Sequence, residues 1–359
     1  MNIIIESATN LEISDQEIGK FYSENWNKKT ILSDEKFVKW QFGVSRLDNN
    51  INSCVVAYEL DKKKILGVLG LTERHFYMST SKLNGAEMTN WMVLNEFSGH
   101  GIGNKMMQFA QDKYDVLMGM GITEVALNVY YANNYKFLRE IPRFTRVFNS
   151  SKINPLAKIT SLGEKLILIN SKQDLIEFKI HQMNKEIVDK IFLNFTKDFN
   201  LYSRSNDILN WRYNLHPFFK YKQFIISNPN SDKKMFVCLR EEEGIAEVKI
   251  LHVVDCFGDL EALSAAISFI DVYCIKNNID FADFYCTTSK IYSYFINNGW
   301  LSTSNDKSFQ FPHLFKPVEF RDPPTTSLVY WSKKDRIKLA DVSSLYITKQ
   351  DIDLDRPTI

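Results

Sequence analysis

The chain has 359 residues, 45% of them hydrophobic, with 44 Lys and Arg against 43 Asp and Glu for a formal net charge of +1. That length exceeds the roughly 250–300 residues at which a single core stops growing, so two packed domains are expected. The near-neutral balance gives no whole-chain footprint for nucleic acid or an anionic membrane, and no run of about 18 apolar residues marks a membrane span.

In chain order, Met1-Asn2-Ile3-Ile4-Ile5-Glu6 lacks the basic start and long apolar core of a signal peptide. Residues 14–42 carry helical periodicity. Residues 53–60 and 65–71 read as hairpin strands around a solvated Asp61-Lys62-Lys63-Lys64 turn, and a third strand follows near Phe76 to Met78. Residues 88–94 form the next strand, and residues 104–111 place apolar side chains at helical spacing. Between them lies Ser98-Gly99-His100-Gly101-Ile102-Gly103-Asn104-Lys105. Such a turn at a helix N-terminus gathers unpaired amides and the positive end of the helix dipole, and its glycines let a diphosphate approach without meeting a Cβ. Glycine also serves tight turns for steric reasons alone, so the turn gains meaning only from its surroundings.

Residues 114–121 read as the following strand, 123–132 as a short helix and 144–148 as the last strand of the first domain. Residues 149–159, with Pro155, make the best linker. The expected division is a first domain over 1–150, a linker over 151–164, a second domain over 165–330 and a tail over 331–359. Asp351-Ile352-Asp353-Leu354-Asp355-Arg356-Pro357 alternates acids without the glycine and closing glutamate of an EF-hand, so a solvated or docked tail is expected rather than a cation site. Cys54, Cys238, Cys256, Cys274 and Cys286 fit neither a disulfide framework nor a C-x-x-C knuckle; free thiols in a reducing cytoplasm are the expectation. The six histidines are scattered and suggest no metal site.

The chain repeats itself weakly. Thr288, Ile291, Phe295, Gly299 and Trp300 each follow Thr123, Ala126, Tyr130, Asn134 and Tyr135 by 165 positions, and residues 34–42 resemble 206–213 with Trp40 matched to Trp211. A period of that size implies duplicated domains rather than a solenoid.

Val93-x-Asn95-x-x-Ser98-x-x-Gly101-x-Gly103 resembles the acyl-CoA-binding pattern of the GNAT N-acyltransferase superfamily, with Asn95 in place of the usual proline and Ser98 in place of arginine or glutamine. Thr123, Ala126, Tyr130, Asn134 and Tyr135 resemble the superfamily's downstream Asn-x-x-Ala-x-x-x-Tyr-x-x-x-Gly-Phe, Asn134 being able to adopt the left-handed conformation of the glycine it replaces. The resemblance implies a mixed α/β fold of two tandem GNAT-like domains, each a mostly antiparallel sheet flanked by helices. It further implies an intact first copy and a degenerate second one. In the second, Asp255-Cys256-Phe257-Gly258-Asp259-Leu260-Glu261 offers one glycine among acids, and Phe295 has no proton to donate.

The activity implied is transfer of an acetyl or related acyl group from acetyl-CoA, or another acyl-CoA, to an amine. Ser98, Gly99, His100, Gly101, Ile102, Gly103 and Asn104 would hold the diphosphate, and Met92, Val93 and Leu94 would pair with pantetheine. Tyr130 would be the general acid, and Glu87 or His75 the base, each of which could instead be an ion-pair or surface residue. A looser resemblance, resting on the two D-x-x-(F/L)-x-W-(Q/R)-(F/Y) segments and the acidic tail, is to acyltransferases of bacterial surface-sugar biosynthesis. It implies an amino-sugar acceptor, free or nucleotide-linked, with Trp211, Tyr213 and His216 available for sugar contacts or for core packing. Two other readings stand beside it: a tandem aminoacyl transferase using aminoacyl-tRNA, against which the CoA-like turn argues, and a non-catalytic acyl-CoA sensor.

Overall fold

The computed structural model describes residues 2–26, 29–43, 47, 52–171, 174–244, 247–303, 308–312, 314–315, 318–319, 326–334, 336–351, 355 and 357. Helix α1 (Asp15–Asn25) starts at a capping box in which Ser14 and Glu17 satisfy each other's backbone amides, and Asp34 caps α2 (Glu35–Gln41). These caps divide what periodicity reads as one helical stretch over 14–42.

Strand β1 (Ile3–Ser7) pairs antiparallel with β2 (Val55–Glu59), and β2 with β3 (Lys64–Met78). The strands expected at 65–71 and 76–78 are thus one strand. Its polar middle reads as a break, but Thr72, Glu73 and Arg74 are buried, with Tyr114 bonding Glu73 and Glu87 and Asp351 facing Arg74. Strand β4 (Ser81–Val93) is antiparallel to β3, and β5 (Val116–Met120) runs parallel to β4. Helices α1 and α2 pack Ile18, Tyr22, Phe37 and Val38 on one face, with Val56 and Val68. On the other face α3 (Ile102–Lys113) and α4 (Glu124–Ala132) bring Met106, Met107, Ala110 and Tyr130 against Leu69, Leu71 and Met88.

The first sheet takes its next strand from far along the chain. Leu328–Ser332 lies antiparallel to β5 and also pairs with β6 (Lys136–Leu138). In return, β7 (Arg143–Val147), expected as the last strand of the first sheet, sits in the second sheet between Phe281–Tyr285 and Leu301–Ser302. The second sheet runs in the order Lys179–His181, Lys222–Ser227, Lys234–Glu243, Lys249–Gly258, Phe281–Tyr285, β7, Leu301–Ser302. That order repeats the first sheet position by position, including the parallel pair Lys249–Gly258 and Phe281–Tyr285. The architecture is therefore two mixed, mostly antiparallel sheets flanked by helices, with one strand exchanged.

Several contacts join the halves, among them Leu201–Tyr202, which pairs antiparallel with β3. Trp40 and Trp211, matched by the internal repeat, stack at 5.1 Å, and each indole N–H donates to the other's backbone carbonyl at 3.0 and 2.9 Å. Residues 343–351 and Asp355 supply an ion cluster. Arg204, fully buried, bonds Asp351 at 2.7 Å and Asp255 at 3.2 Å, while Asp351 lies 3.3 Å from Arg74 of the first sheet. Asp355 receives Arg240 at 2.7 Å and the Tyr221 hydroxyl at 2.7 Å. Burial alone would weaken the Arg204 cation, but the facing carboxylates of Asp351 and Asp255 more than offset it and raise its pKa. The acidic segment is thus docked; Asp353 and Arg356 lie outside the described residues. All five cysteines are buried free thiols, and among the described residues no helix is long and apolar enough to cross a membrane.

Removing one partner from a buried ion pair strands the others without solvent. Arg204→Ala is expected to cost about 3–5 kcal/mol of unfolding free energy in a denaturant titration; a loss below about 1 kcal/mol would show that the carboxylates around it do not depend on this cation.

Candidate functional site

The pairing of β4 with β5 runs from Gly85–Val116 to Met88–Gly119 and stops there. At the same level β4 bulges: its register with β3 passes from Thr89–Gly70 to Met92–Val68, so Asn90 and Trp91 together oppose Leu69. Asn90 is held at φ 51°, its side chain donates to Thr89 Oγ1 at 2.9 Å, and the Tyr22 hydroxyl donates to its carbonyl at 2.7 Å. A bulge bends its strand, and among the described residues β4 makes no further pairing with β5 past it. Sequence reading missed this bulge; its one signal was an asparagine inside an apolar strand.

Beyond β4, a single 3-10 turn (Asn95–Phe97) leads into the glycine turn. Gly99 and Gly101 have φ of 79° and 74°, and a Cβ on either would meet nothing within 4 Å, so both serve the backbone conformation and leave the turn open. Gly101 is the N-cap of α3. Gly103 has a different reason: a Cβ there would lie 2.6 Å from the Trp91 ring. The turn faces a cleft of about 420 Å³ whose walls include Trp91, Val93, Ser98, Gly101, Ala126 and Val129. Gly99, Ile102, Gly103 and Asn104 also line it. The Met92 side chain packs on the α1 side of the sheet and Leu94 against both cores, which leaves the backbone pairing expected of residues 92–94 untouched, and the His100 ring turns back onto the Ser98 carbonyl at 3.1 Å. A recess of about 560 Å³ lies across the sheet and meets the cleft at Asn95. Its Glu17, Glu24 and Glu96 offset Lys20, Lys63 and Lys64, leaving no net charge to attract a phosphate.

Tyr130 stands on α4, whose first turn is capped by Thr123, and Asn134 ends that helix at φ 61°, in the left-handed conformation expected of it. Its ring meets Trp91 edge-on at 5.7 Å and Tyr135 at 5.1 Å. The hydroxyl has no hydrogen-bond partner among the described residues, and burial pushes its pKa well above the usual phenol value. Glu87 lies two residues before Thr89, buried, with Arg74 at 3.4 Å. His75 is the register partner of Asn84, whereas the opening is at the level of Gly70. Five residues of strand put it about 16 Å away, so the fold does not bring it to the opening.

The second copy differs at each of these points. Gly258 is packed so closely that a Cβ would sit 2.4 Å from the Lys234 carbonyl, and Phe295 stacks on Phe144 at 4.7 Å in the core. Pairing of the equivalent strands ends at Val253–Phe284. Past that point residues 346–348 cross the gap: Tyr346 bonds the Cys256 carbonyl and Asp255, Thr348 bonds Asp255 at 3.1 Å, and Ile347 exchanges bonds of 3.0 and 3.2 Å with Thr287. Asp255, enclosed there, has its carboxyl raised to about 6 by burial, against the pull of Arg204.

Trp211, Tyr213 and His216 do not form a sugar platform. Trp211 stacks on Trp40, Tyr213 is buried against Phe236 and Tyr221, and His216 lies 4.3 Å from the Trp40 ring. The His216 Nδ1 accepts the amides of Phe218 and Phe219, and burial pushes the ring's pKa down to about 3, so it is neutral. Their aromatic surface goes to packing between the halves.

Residues 16–137 match the family model described as Acetyltransferase (GNAT) family. No curated protein matches the chain. Among solved structures, a protein of unknown function from Enterococcus faecalis V583, described as a probable N-acyltransferase, is similar over 91% of this chain and 72% of its own, at 10% identity and a TM-score of 0.56. A GCN5-related N-acetyltransferase from Anabaena variabilis covers 92% of this chain and 72% of its own, at 11% identity and 0.54. The Saccharomyces cerevisiae N-myristoyltransferase, solved with bound myristoyl-CoA, covers 92% and 82%, at 11% and 0.50. The chain has the acyltransferase fold of the GNAT superfamily, built as two GNAT-like sheets in tandem.

Proposed function

We propose that the protein transfers an acetyl or related acyl group from acyl-CoA to the amine of a small acceptor, using only the first sheet. The observation that carries this reading is the open glycine turn at the N-terminus of α3, at the mouth of the cleft past the point where the pairing of β4 with β5 stops. Helix N-termini of this kind favour phosphate through free amides and the helix dipole. Acetyl-CoA bound with its diphosphate on residues 98–104 would run its pantetheine along Val93 and bring the thioester to the level of Asn90.

The amine nitrogen then attacks the thioester carbon, and the carbonyl oxygen becomes an oxyanion that strand amides can stabilise in a site shielded from water. As the intermediate collapses, the carbon–sulfur bond breaks and the thiolate takes the Tyr130 proton. Because burial raises the Tyr130 pKa, that donor stays loaded throughout the physiological range. Glu87, 3.4 Å from Arg74, accepts the proton that the amine loses, directly or through water. Aligning two bound reactants supplies much of the acceleration, roughly 7–11 kcal/mol in favourable cases. Free buried thiols and a CoA-dependent reaction both suit the cytoplasm. The second sheet, with residues 346–348 across its gap, would shape and support the first rather than bind acyl-CoA.

Gly101→Asp should weaken CoA binding at least tenfold by calorimetry, by like-charge repulsion at a position where a Cβ meets no protein atom but φ is 74°, so folding of the variant is checked alongside; unchanged affinity in the folded variant would move the diphosphate elsewhere. Tyr130→Phe should lower kcat by about 10²–10⁴-fold with CoA affinity unchanged, whereas a wild-type rate would reduce Tyr130 to packing. Titration should give one CoA per chain, and Phe295→Tyr should add no second site; a stoichiometry of two would overturn the division between the sheets.

A further inference from the structure

The second sheet ends in an edge that the chain leaves open. Lys179–His181 pairs antiparallel with Lys222–Ser227 on one side, and among the described residues no strand pairs with it on the other. An edge strand presents unpaired N–H and C=O groups, which proteins ordinarily cover or blunt with charge. Here it is bordered by apolar side chains. Ile180 is 53% exposed, although its register partner Ile226 is fully buried. Leu175 and Ile176, which precede the strand, are exposed as well, and so are Leu168 and Ile169 on the helix Ser161–Asn170 before them. These segments lie along one helix, Leu263–Lys276. The Ile176 amide donates to Ser268 Oγ at 3.1 Å, Phe178 meets Phe269 edge-on at 5.5 Å, and the Asn170 carbonyl accepts Arg146, which pairs with Asp271 at 3.4 Å. Exposed apolar side chains gathered beside an unpaired edge mark a surface that another chain covers.

Charge along the edge identifies that chain. Residues 176–180 read Ile-Glu-Phe-Lys-Ile, and both charged side chains are exposed. Laid antiparallel on a second copy with Phe178 at the centre, the segment sets Ile176 opposite Ile180 and Glu177 opposite Lys179, each pair occurring twice. Opposite charges facing across strands stabilise a pairing, and like charges destabilise it. Centring on Lys179 would instead put two lysines face to face, and centring on Glu177 two glutamates. A parallel, in-register pairing would oppose both. The segment is therefore self-complementary in one register, which is the requirement of a two-fold interface that closes at two copies. The exposed leucines and isoleucines beside the edge extend such a contact toward the roughly 800 Å² per partner of a stable association.

We propose that the partner is a second copy of this chain, and that residues 176–180 of the two copies pair antiparallel about Phe178 and join their second sheets into one. Ile180 and Ile176 of the two copies then cover each other on the side of the sheet that carries helix Leu263–Lys276, and two Glu177–Lys179 pairs fix the register on the opposite side. The interface belongs to the second sheet and does not depend on the acyl-transfer chemistry assigned to the first.

The test is sedimentation velocity of the full chain over a concentration series, for the wild type, Glu177→Lys, Lys179→Glu and the two substitutions combined. The wild type should sediment as a dimer. Each single reversal sets two like-charged pairs face to face and should raise the dimer dissociation constant at least tenfold. The combined reversal exchanges the partners and should restore the dimer, which also shows that the substituted chain folds. A monomeric wild type would assign the edge to a different protein and overturn the proposal. So would a dimer that neither single reversal weakens, since its contact would lie elsewhere. A combined variant that stays dissociated would overturn it too, because Glu177 and Lys179 would then not face each other.

Discussion

Four arginines buried between the sheets, Arg74, Arg204, Arg212 and Arg240, impose the strongest constraint on this molecule. A guanidinium out of water needs a carboxylate at close range, and the two sheets alone do not supply enough of them. Asp351 and Asp355 do, and to reach the arginines the chain must leave the first sheet after Ser332 and thread along the second. Burial would favour the protonated Asp355 carboxyl, but Arg240 and Arg212 outweigh it and hold its pKa far below the usual carboxylate range. The Asp355 pairs therefore stabilise the folded chain above the pKa of an unfolded aspartate, and that contribution is lost as pH falls below it.

The same thread accounts for the asymmetry of the two copies. In the second sheet the gap between the parallel strands is bridged by Tyr346, Ile347 and Thr348, whereas the corresponding gap in the first lies beside an open cleft. A duplicated fold need not keep two ligand sites, and here one gap is used to anchor the chain that carries Asp351 to Arg74 of the first sheet. The loss of the glycines and of the tyrosine in the second copy fits a position that residues 346–348 already fill.

Local chemistry was legible in the residues. The glycine turn, its placement on α3, the Thr123 cap and the left-handed Asn134 all follow from neighbours within a few positions, whereas the repeat that matched Trp40 with Trp211 did not say that they touch. Partners distant in the chain were not legible. Strands 143–147 and 328–332 both suit any sheet interior, and nothing local says which neighbour each will choose. Glu87 could be singled out, but the Arg74 beside it owes its burial to Asp351, 277 residues further on. Trp211, Tyr213 and His216 failed as sugar contacts because an aromatic face that will stack on another ring has the same spacing as one that will stack on a ligand.

The exchanged strand also governs the order in which the protein can be made. Strand β5 keeps an unpaired edge until Leu328–Ser332 has emerged from the ribosome, long after the rest of the first sheet has been synthesised. Meanwhile β7, translated early, must wait for Phe281–Tyr285. Neither half can close before most of the other exists, so assembly is tied to late synthesis rather than proceeding one domain at a time. An exposed edge in the growing chain is a template for mispairing, and the nascent protein therefore depends on rapid arrival of its last strand or on a chaperone that covers β5 in the interval.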